Sequence, residues 1–365
     1  MRIEALQEVF HNKTKLNFGI ISDTHFAIHK KSNVFFPHVV KTIDTFINLC
    51  IDNDVDMIIH TGDVFDTKHQ IATEGLINTN DLVSKMSESF PTILLAGNHD
   101  FASVDNRGLN LVSNYKNYSN IVVVFSYEKL VLPNANLALH FLPYYHNPKP
   151  FLDEIKKCTV VEKNVLFSHM GVAGFKMHEN ASDYANQLSA QVTSSKLKSF
   201  DKVFLGHYHG YQSKEDITYV SAPLQSRHGD EASKHGFVFW ESDKKRHKFI
   251  ENKDTPKFIT YILTRSNVEK MSELKNHYIR IIVNKRVSKE LLIALKRKLL
   301  KTNYDVSFNF DIKDDSKLAV VKGWAEFVMH DPDKIIIDYV NKLKSQNELE
   351  YDVKDLLKIV DIDIK

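Results

Sequence analysis

Five short segments bearing Asp, His and Asn each follow an apolar, strand-forming run, and no other feature limits the possible folds as much. They are Asp23-Thr24-His25, Gly62-Asp63-Val64-Phe65-Asp66, Gly97-Asn98-His99-Asp100, Ser168-His169 and Gly206-His207-Tyr208-His209. The runs before the first three are Asn17 to Ser22, Asp56 to His60 and Thr92 to Ala96. Between these runs the periodicity is helical. After Pro37, Val40, Ile43, Ile47 and Cys50 share one face, and Leu76 to Met86 reads as a second helix. Strand–helix–strand alternation predicts parallel strands joined by crossover helices. In such sheets ligands gather outside the carboxyl ends of the strands, so the polar segments are expected along one edge.

From Ile121 onward the runs shorten (IVVVF, LALHF, NVLFS, KVFLG, ITYVS, GFVFWE), which predicts two packed sheets flanked by helices, an α/β fold. The charged stretch ESDKKRHKFIENKDTPK, beginning at Glu241, reads as a rim and linker. Beyond it, Tyr278 to Val283 is a strand, and Ser288 caps a helix carrying Leu291, Leu292, Leu295 and Leu299. Tyr304 to Ile312 alternates like a further strand, completing a small βαβ piece. Asp331-Pro332 opens a helix with Ile335, Ile336, Tyr339, Val340 and Leu343, and an amphipathic stretch runs from Val353 to Ile362. The expected division is 1–255, 256–330 and 331–365.

The 365 residues, 43% of them hydrophobic, suffice for one large domain with an appendage. The 48 basic and 46 acidic side chains nearly cancel, so attraction to nucleic acid must come from local patches. Cys50 and Cys158 form no Cys-x-x-Cys pattern, which argues against a thiolate cluster or disulfide framework and fits a reducing compartment. Met1 to Leu16 lacks the apolar core of a signal peptide, and no uninterrupted apolar stretch reads as long enough to cross a bilayer. A cytoplasmic location without membrane contact is expected.

Carboxylate oxygen and imidazole nitrogen suit divalent Mn, Fe or Zn. Asp-x-His and His-x-His place two donors close together where the chain leaves a strand. Two cations about 3.5–4 Å apart need an anionic bridge, which a carboxylate in a tight turn such as Asp63 can provide. Glycines before Asp63, Asn98 and His207 let the backbone turn sharply beneath the donors. A cation pair clamps a phosphoryl oxygen and lowers the pKa of water towards neutrality. Each fragment alone is weak, since a lone His after a strand is more often hydrogen-bonded structure than ligand. All five, in order and behind strands, point to a binuclear metal centre.

The set Asp23-x-His25, GDVFD, GNHD, His169 and GHYH resembles the signature of calcineurin-like metallophosphoesterases. Within that superfamily GDVFDT (Gly62 to Thr67) followed by LLAGNHD (Leu94 to Asp100) is similar to bacterial SbcD. The run SAPLQSRHGDEASKHGFVFW (Ser221 to Trp240) also resembles the SbcD group, especially the recombination-nuclease small subunits of large tailed phages. The resemblance spans roughly Asn17 to Glu251. It implies a four-layer α/β/β/α sandwich with a C-terminal capping domain and terminal helices. It also implies a 3′-5′ DNA exonuclease, with endonuclease activity on single strands or hairpins, in an SbcCD-like complex. Asp23, His25 and His209 would bind one metal, Asp63 would bridge, and Asn98, His169 and His207 would bind the other. His99 would face the scissile phosphate without binding metal, and Asp100 would hydrogen-bond it and fix its tautomer. Asp66 stands where archaeal and eukaryotic relatives tend to have His; it would support the ligands from behind. Manganese is the family's preferred ion, with Mg, Fe and Zn compatible. Implied partners are DNA, an SbcC-like coiled-coil ATPase docked on the terminal helices, and a second copy of the chain. The segments after Pro37 and around Asp105 to Tyr115 are the candidates for the dimer contact. The setting implied is a bacterial or phage-infected cell.

Other residues admit two readings. His29, His60, His69, His228 and His235 could meet substrate or be satisfied locally, and Arg107 and Arg227 could touch phosphate or form ordinary surface contacts. Lys289, Lys296, Arg297, Lys298 and Lys301 give one helix a basic face that can track DNA phosphates or merely be solvated; the resemblance favours DNA. Two rival functions remain. One is an enzyme of the same superfamily acting on small phosphodiesters or phosphoproteins, against which the appended domain speaks. The other is a non-catalytic scaffold, against which the complete donor set speaks.

Overall fold

The computed structural model describes residues 1–26, 32–67, 71–103, 106–158, 163–177, 192–284 and 287–311. Helix α1 (Ile3–Phe10) leads into strand β1 (Asn17–Ile21), followed by α2 (Ser32–Asp52), β2 (Met57–His60), α3 (Thr73–Ser89), β3 (Thr92–Leu95) and β4 (Ile121–Val124). The four strands pair in parallel, with Ile20 opposite Ile59 and Ile93 opposite Val122. Parallel pairing follows from the helical crossovers, because a tight turn cannot bring the chain back in the same direction. Strands β5 (Glu128–Leu132) and β6 (Leu137–Leu142), helix α4 (Pro148–Lys157), then β7 (Lys163–His169), β8 (Lys202–Gly206), β9 (Gln212–Lys214) and β10 (Ile217–Tyr219) build a second sheet. Strands β11 (Gly236–Glu241) and β12 (Lys248–Glu251) return to the first. The strand orders are β12-β11-β1-β2-β3-β4 and β5-β6-β7-β8-β10-β9.

The two sheets share one apolar core. Phe18 stacks on Trp240 at 5.4 Å, and Phe167 lies 5.5 Å from Phe141 and 5.4 Å from Phe204. Ile3, Leu6 and Phe10 of α1 enter the same cluster, and the Met1 ammonium donates to the carbonyls of Tyr118 (2.9 Å) and Ile121 (2.8 Å). The sequence reading assigned no element to this stretch, because about two turns of amphipathic helix give too few periods to recognise.

Helix α2 begins before Pro37 and carries it inside. Ile43, Ile47 and Cys50 of the expected face are buried and Val40 is half-buried; Phe35, Val39 and Phe46 are buried beside them and widen the stripe. Phe46 stacks on Phe237 at 5.0 Å, and Gly19 leaves room for Cys50 and Phe46 over β1. Residues Val34–Asp52 are long and apolar enough to cross a membrane by length and composition, although Lys41, Asp44 and Asn48 interrupt the apolar run. Ile43, Phe46, Ile47 and Cys50 are buried here, while Val34 and Ile51 are exposed.

The chain divides into Met1–Thr255 and a second unit from Pro256. The second unit contains β13 (Phe258–Ile262), α5 (Arg265–Glu273), β14 (Tyr278–Val283), α6 (Lys289–Leu300) and β15 (Asp305–Phe310), with all three strands parallel. Val268 and Met271 of α5 and Leu292, Leu295 and Leu299 of α6 cover Ile279, Ile281 and Val283. The Ser288 hydroxyl accepts from the Leu291 N–H, the expected cap. Strand β13 and helix α5 extend the expected βαβ piece, and β12 lies within the charged stretch read as linker; flanking charges masked both strands. The helices expected after Asp331, together with His29, His69 and Asp105, lie outside the described residues.

Candidate metal centre

The carboxyl ends of β1, β2 and β3 in one sheet and of β7 and β8 in the other deliver the five polar segments to one place. Backbone ties hold the first two segments together: Asp23 N–H donates to Gly62 O (3.0 Å), His25 N–H to Asp63 O (3.1 Å) and Phe26 N–H to Val64 O (2.8 Å). Asp23, His25, Asp63 and His207 all have left-handed backbone, with φ of 48°, 44°, 55° and 95°. Non-glycine residues adopt this only where the surroundings over-determine it, and such strain gathers at functional sites.

Two glycines have separate reasons to be there. Gly62 has φ of 111°, and a Cβ on it would come within 2.4 Å of His169 Nδ1. Gly97 has ordinary dihedrals, but a Cβ there would lie 2.2 Å from Asp63 N. Close approach, not turning, therefore requires Gly97, and the same holds for Gly206.

The side chains converge on Asp63, which is buried. Its Oδ2 lies 3.3 Å from His169 Nε2 and 3.7 Å from His25 Nε2, and its Oδ1 accepts from the His99 N–H at 2.8 Å. Asn98 Oδ1 lies 2.8 Å from His207 Nδ1 and 3.0 Å from His169 Nε2. His169 donates its Nδ1 proton to Thr61 O at 2.9 Å, which aims Nε2 at Asp63. On the other side His25 Nε2 and His209 Nε2 stand 3.1 Å apart. Three groups, Asp23–His25–His209, Asp23–Asp63–His169 and His25–Asp63–His99, each bring donor atoms within 4.8 Å of one another. The structure thus brings together all seven expected donors: Asp23, His25, Asp63, Asn98, His169, His207 and His209.

Burial dominates the electrostatics. It raises the Asp23 carboxyl, and the neighbouring Asp63 adds to the effect. Burial also works against charge on Asp63, but His169, His25 and His99 outweigh it and hold that carboxyl well below its usual range. Conversely, burial opposes charge on His169, yet Asp63 and Asp23 push its imidazole up to about 9. Burial drives His207 down to about 3 and His25 well below the ordinary histidine value.

The supporting side chains differ from expectation. Asp100 does not hold His99: its Oδ1 accepts from Phe65 N–H (3.0 Å) and its Oδ2 from Gly97 N–H (2.8 Å) and Val64 N–H (3.3 Å). Its carboxylate is saturated by the two turns it joins. The His99 Nδ1 instead donates to the backbone carbonyl of Asp66, and the Asp66 carboxylate lies 3.7 Å from His25 Nδ1. His99 is also nearer the donors than expected, within the group containing His25 and Asp63. His60 is fully buried, with Nδ1 accepting from Gly62 N–H (3.2 Å) and Nε2 against Thr24 Oγ1 (2.9 Å), so it braces the first two segments and meets no substrate.

In the loop before β11, His228 pairs with Glu231 at 2.7 Å, and Arg227 Nη2 lies 3.3 Å from His209 Nε2. His235 contacts the carbonyls of Ala222 and Asp230, both at 3.1 Å. Sequence reasoning missed Asp230 of this loop, whose Oδ1 lies 3.0 Å from His209 Nδ1; its only signal was the acidic pair within the subfamily-like run. Arg107 is sandwiched between the rings of Phe101 and Tyr145 and donates to the carbonyls of Phe125 (2.8 Å) and Tyr144 (2.9 Å), a structural role. Lys296, Arg297, Lys298 and Lys301 lie on or at the end of α6 in the second unit, with no ion pair among the described residues.

The chain is similar to several known proteins. Exonuclease subunit 1 of Enterobacteria phage T4 is 23% identical over 211 residues, covering 56% of this chain and 58% of that protein's length. An archaeal phosphodiesterase structure aligns at 14% identity over 65% of this chain and 99% of that one, with a TM-score of 0.33. A dimetal phosphatase from Danio rerio aligns at 12% identity, over 61% and 91% of the two chains, with a TM-score of 0.37. The Pseudomonas putida nuclease MPE aligns at 14% identity, over 63% and 86%, with a TM-score of 0.29. The family profile described as calcineurin-like phosphoesterase matches residues 16–211, more than half of the chain. The chain therefore belongs to the calcineurin-like phosphoesterases, hydrolases of phosphoester or phosphodiester bonds that use divalent metal ions.

Proposed function

We propose that this chain is a metal-dependent DNA nuclease subunit. The observation that carries the reading is the convergence of seven oxygen and nitrogen donors, from two sheets, around one buried carboxylate. The donors suit a pair of divalent cations. Two imidazole nitrogens that share a cation at about 2.1 Å each stand about 3.0 Å apart at a right angle and about 3.4 Å apart at the tetrahedral angle, a range that includes the 3.1 Å between His25 and His209. No thiolate is near, so manganese and other oxygen- and nitrogen-preferring ions fit. Asp23, His25 and His209 would hold one cation and Asn98, His169 and His207 the other, with Asp63 shared. When bound, the pair supplies Lewis-acid polarisation of the phosphoryl group and acidifies water.

The protein's own groups do the rest. Asp100 fixes the Asp63 and Asn98 turns relative to each other through three backbone N–H groups. His99, tied through Nδ1, presents Nε2; as the imidazolium, protonated on both nitrogens, it gives the Nε2 proton to the departing 3′ oxygen and is left neutral. DNA as the substrate is supported by the T4 relative's name, by the subfamily-like loop and by the basic side chains of α6. An SbcC-like coiled-coil ATPase and a second copy of the chain, meeting through α2, complete the reading.

The test is a nuclease assay on single- and double-stranded DNA with manganese, with and without the ATPase. Cleavage is expected, and Asp63→Ala should abolish it. Faster turnover of a nitrophenyl diester than of any DNA would favour the small-phosphodiester alternative instead.

A further inference from the structure

We propose that Asp230 is a positioning residue for His209 and that it makes the two metal positions unequal, the one containing Asp23, His25 and His209 binding more tightly. This rests on the metal-centre reading above. Asp230 is 1% exposed and is the hub of the loop between β10 and β11. Its Oδ2 accepts from Ser226 N–H (2.9 Å), Ser226 Oγ (3.1 Å) and Arg227 N–H (3.2 Å). Its carbonyl accepts from Ser233 Oγ (2.8 Å) and faces His235 Nε2 (3.1 Å). The loop therefore fixes the carboxylate in place before any ligand arrives, and its Oδ1 stands 3.0 Å from His209 Nδ1.

An ionised carboxylate only accepts, so the His209 proton sits on Nδ1 and the lone pair on Nε2. That lone pair points towards His25 Nε2, 3.1 Å away, where a shared cation belongs. Among the described residues no other candidate histidine has a carboxylate oxygen at hydrogen-bond distance behind it. His169 Nδ1 donates to a neutral carbonyl, that of Thr61. His207 turns Nδ1 itself towards Asn98. His25 Nδ1 is buried without a hydrogen-bond partner among the described residues, with the Asp66 carboxylate at 3.7 Å. A carboxylate held at hydrogen-bond distance fixes an imidazole's tautomer and ring orientation, and removing such a partner typically lowers metal affinity about 10–100-fold. One position is therefore charge-backed and the other is not, and the two fill in order.

The full-length chain, stripped of metal and titrated with Mn²⁺ by calorimetry and electron paramagnetic resonance, tests this. Wild type should show two affinities. Asp230→Asn should weaken the tighter one about 10–100-fold, while Lys234→Ala, an exposed change in the same loop, should leave both in place. Unchanged affinities in Asp230→Asn, or equal affinities in wild type, would overturn the inference alone. A wild-type chain that binds no Mn²⁺ would remove the metal-centre reading as well. Should Asp230→Asn not fold, the tautomer decides in wild type labelled with ¹⁵N-histidine. The resonance lost in His209→Gln should report Nδ1–H, and an Nε2–H tautomer would overturn the proposal.

Discussion

His99 is held through Nδ1 by the Asp66 carbonyl, and its backbone N–H is bound to Asp63, so its ring orientation does not depend on any side-chain carboxylate. His99→Ala should therefore lower cleavage about 10²–10⁴-fold, the usual worth of a placed general acid, while Mn²⁺ stoichiometry stays at the wild-type value. A variant that binds fewer ions would instead make His99 a ligand. His247 concerns stability. Burial, with Lys202 adding to it, keeps its imidazole neutral down to about 4, against about 6.5 in an unfolded chain. The folded pKa is the lower one, so this contribution is whole above about pH 6.5 and is lost as pH falls from there towards 4. Melting temperatures at pH 7 and pH 5 should differ less in His247→Gln than in wild type. At this scale the candidate donors were legible because each follows closely on a strand, while the family resemblance supplied their roles. The partners of Asp100, His99 and His209 were not legible, since each is set by how separate turns meet in space.

Elements differ in how openly the sequence declares them. Strands β1 to β3 and helix α6 combine a clear period with a recognisable end, whereas β12, β13 and α5 are short and bordered by charge. The buried stripe of α2 holds Ile43, Ile47 and Cys50 as expected and is widened by Phe35, Val39 and Phe46, while Val40 stays at its margin. Helix α6 buries Leu291, Leu292, Leu295 and Leu299, which leaves its lysines and arginine to the opposite side. If that side tracks a DNA backbone, replacing Lys296 and Arg297 together by Ala should flatten the slope of log affinity against log salt by about 1.4–1.8. The helix itself should survive, as both replacements favour helix. An unchanged slope, measured by fluorescence anisotropy across a salt series, would assign these residues to solvent.

For the whole molecule, residues 331–365 carry the proposed attachment to the ATPase. Deleting them should abolish capture of the ATPase while leaving Mn²⁺-dependent hydrolysis of a nitrophenyl diester in place; retained capture would put the contact elsewhere. Within Met1–Thr255, the proposed donors span residue 23 to residue 209 and come from both sheets. A ribosome delivers the N-terminal strands first, and a half-made chain possesses Asp23, His25 and Asp63 but neither His207 nor His209. Neither cation then has its full set of anchors until most of the sandwich has been synthesised and closed. Nascent or truncated chains thereby lack the complete set of donors, and a working hydrolytic centre arrives only as a property of the finished fold.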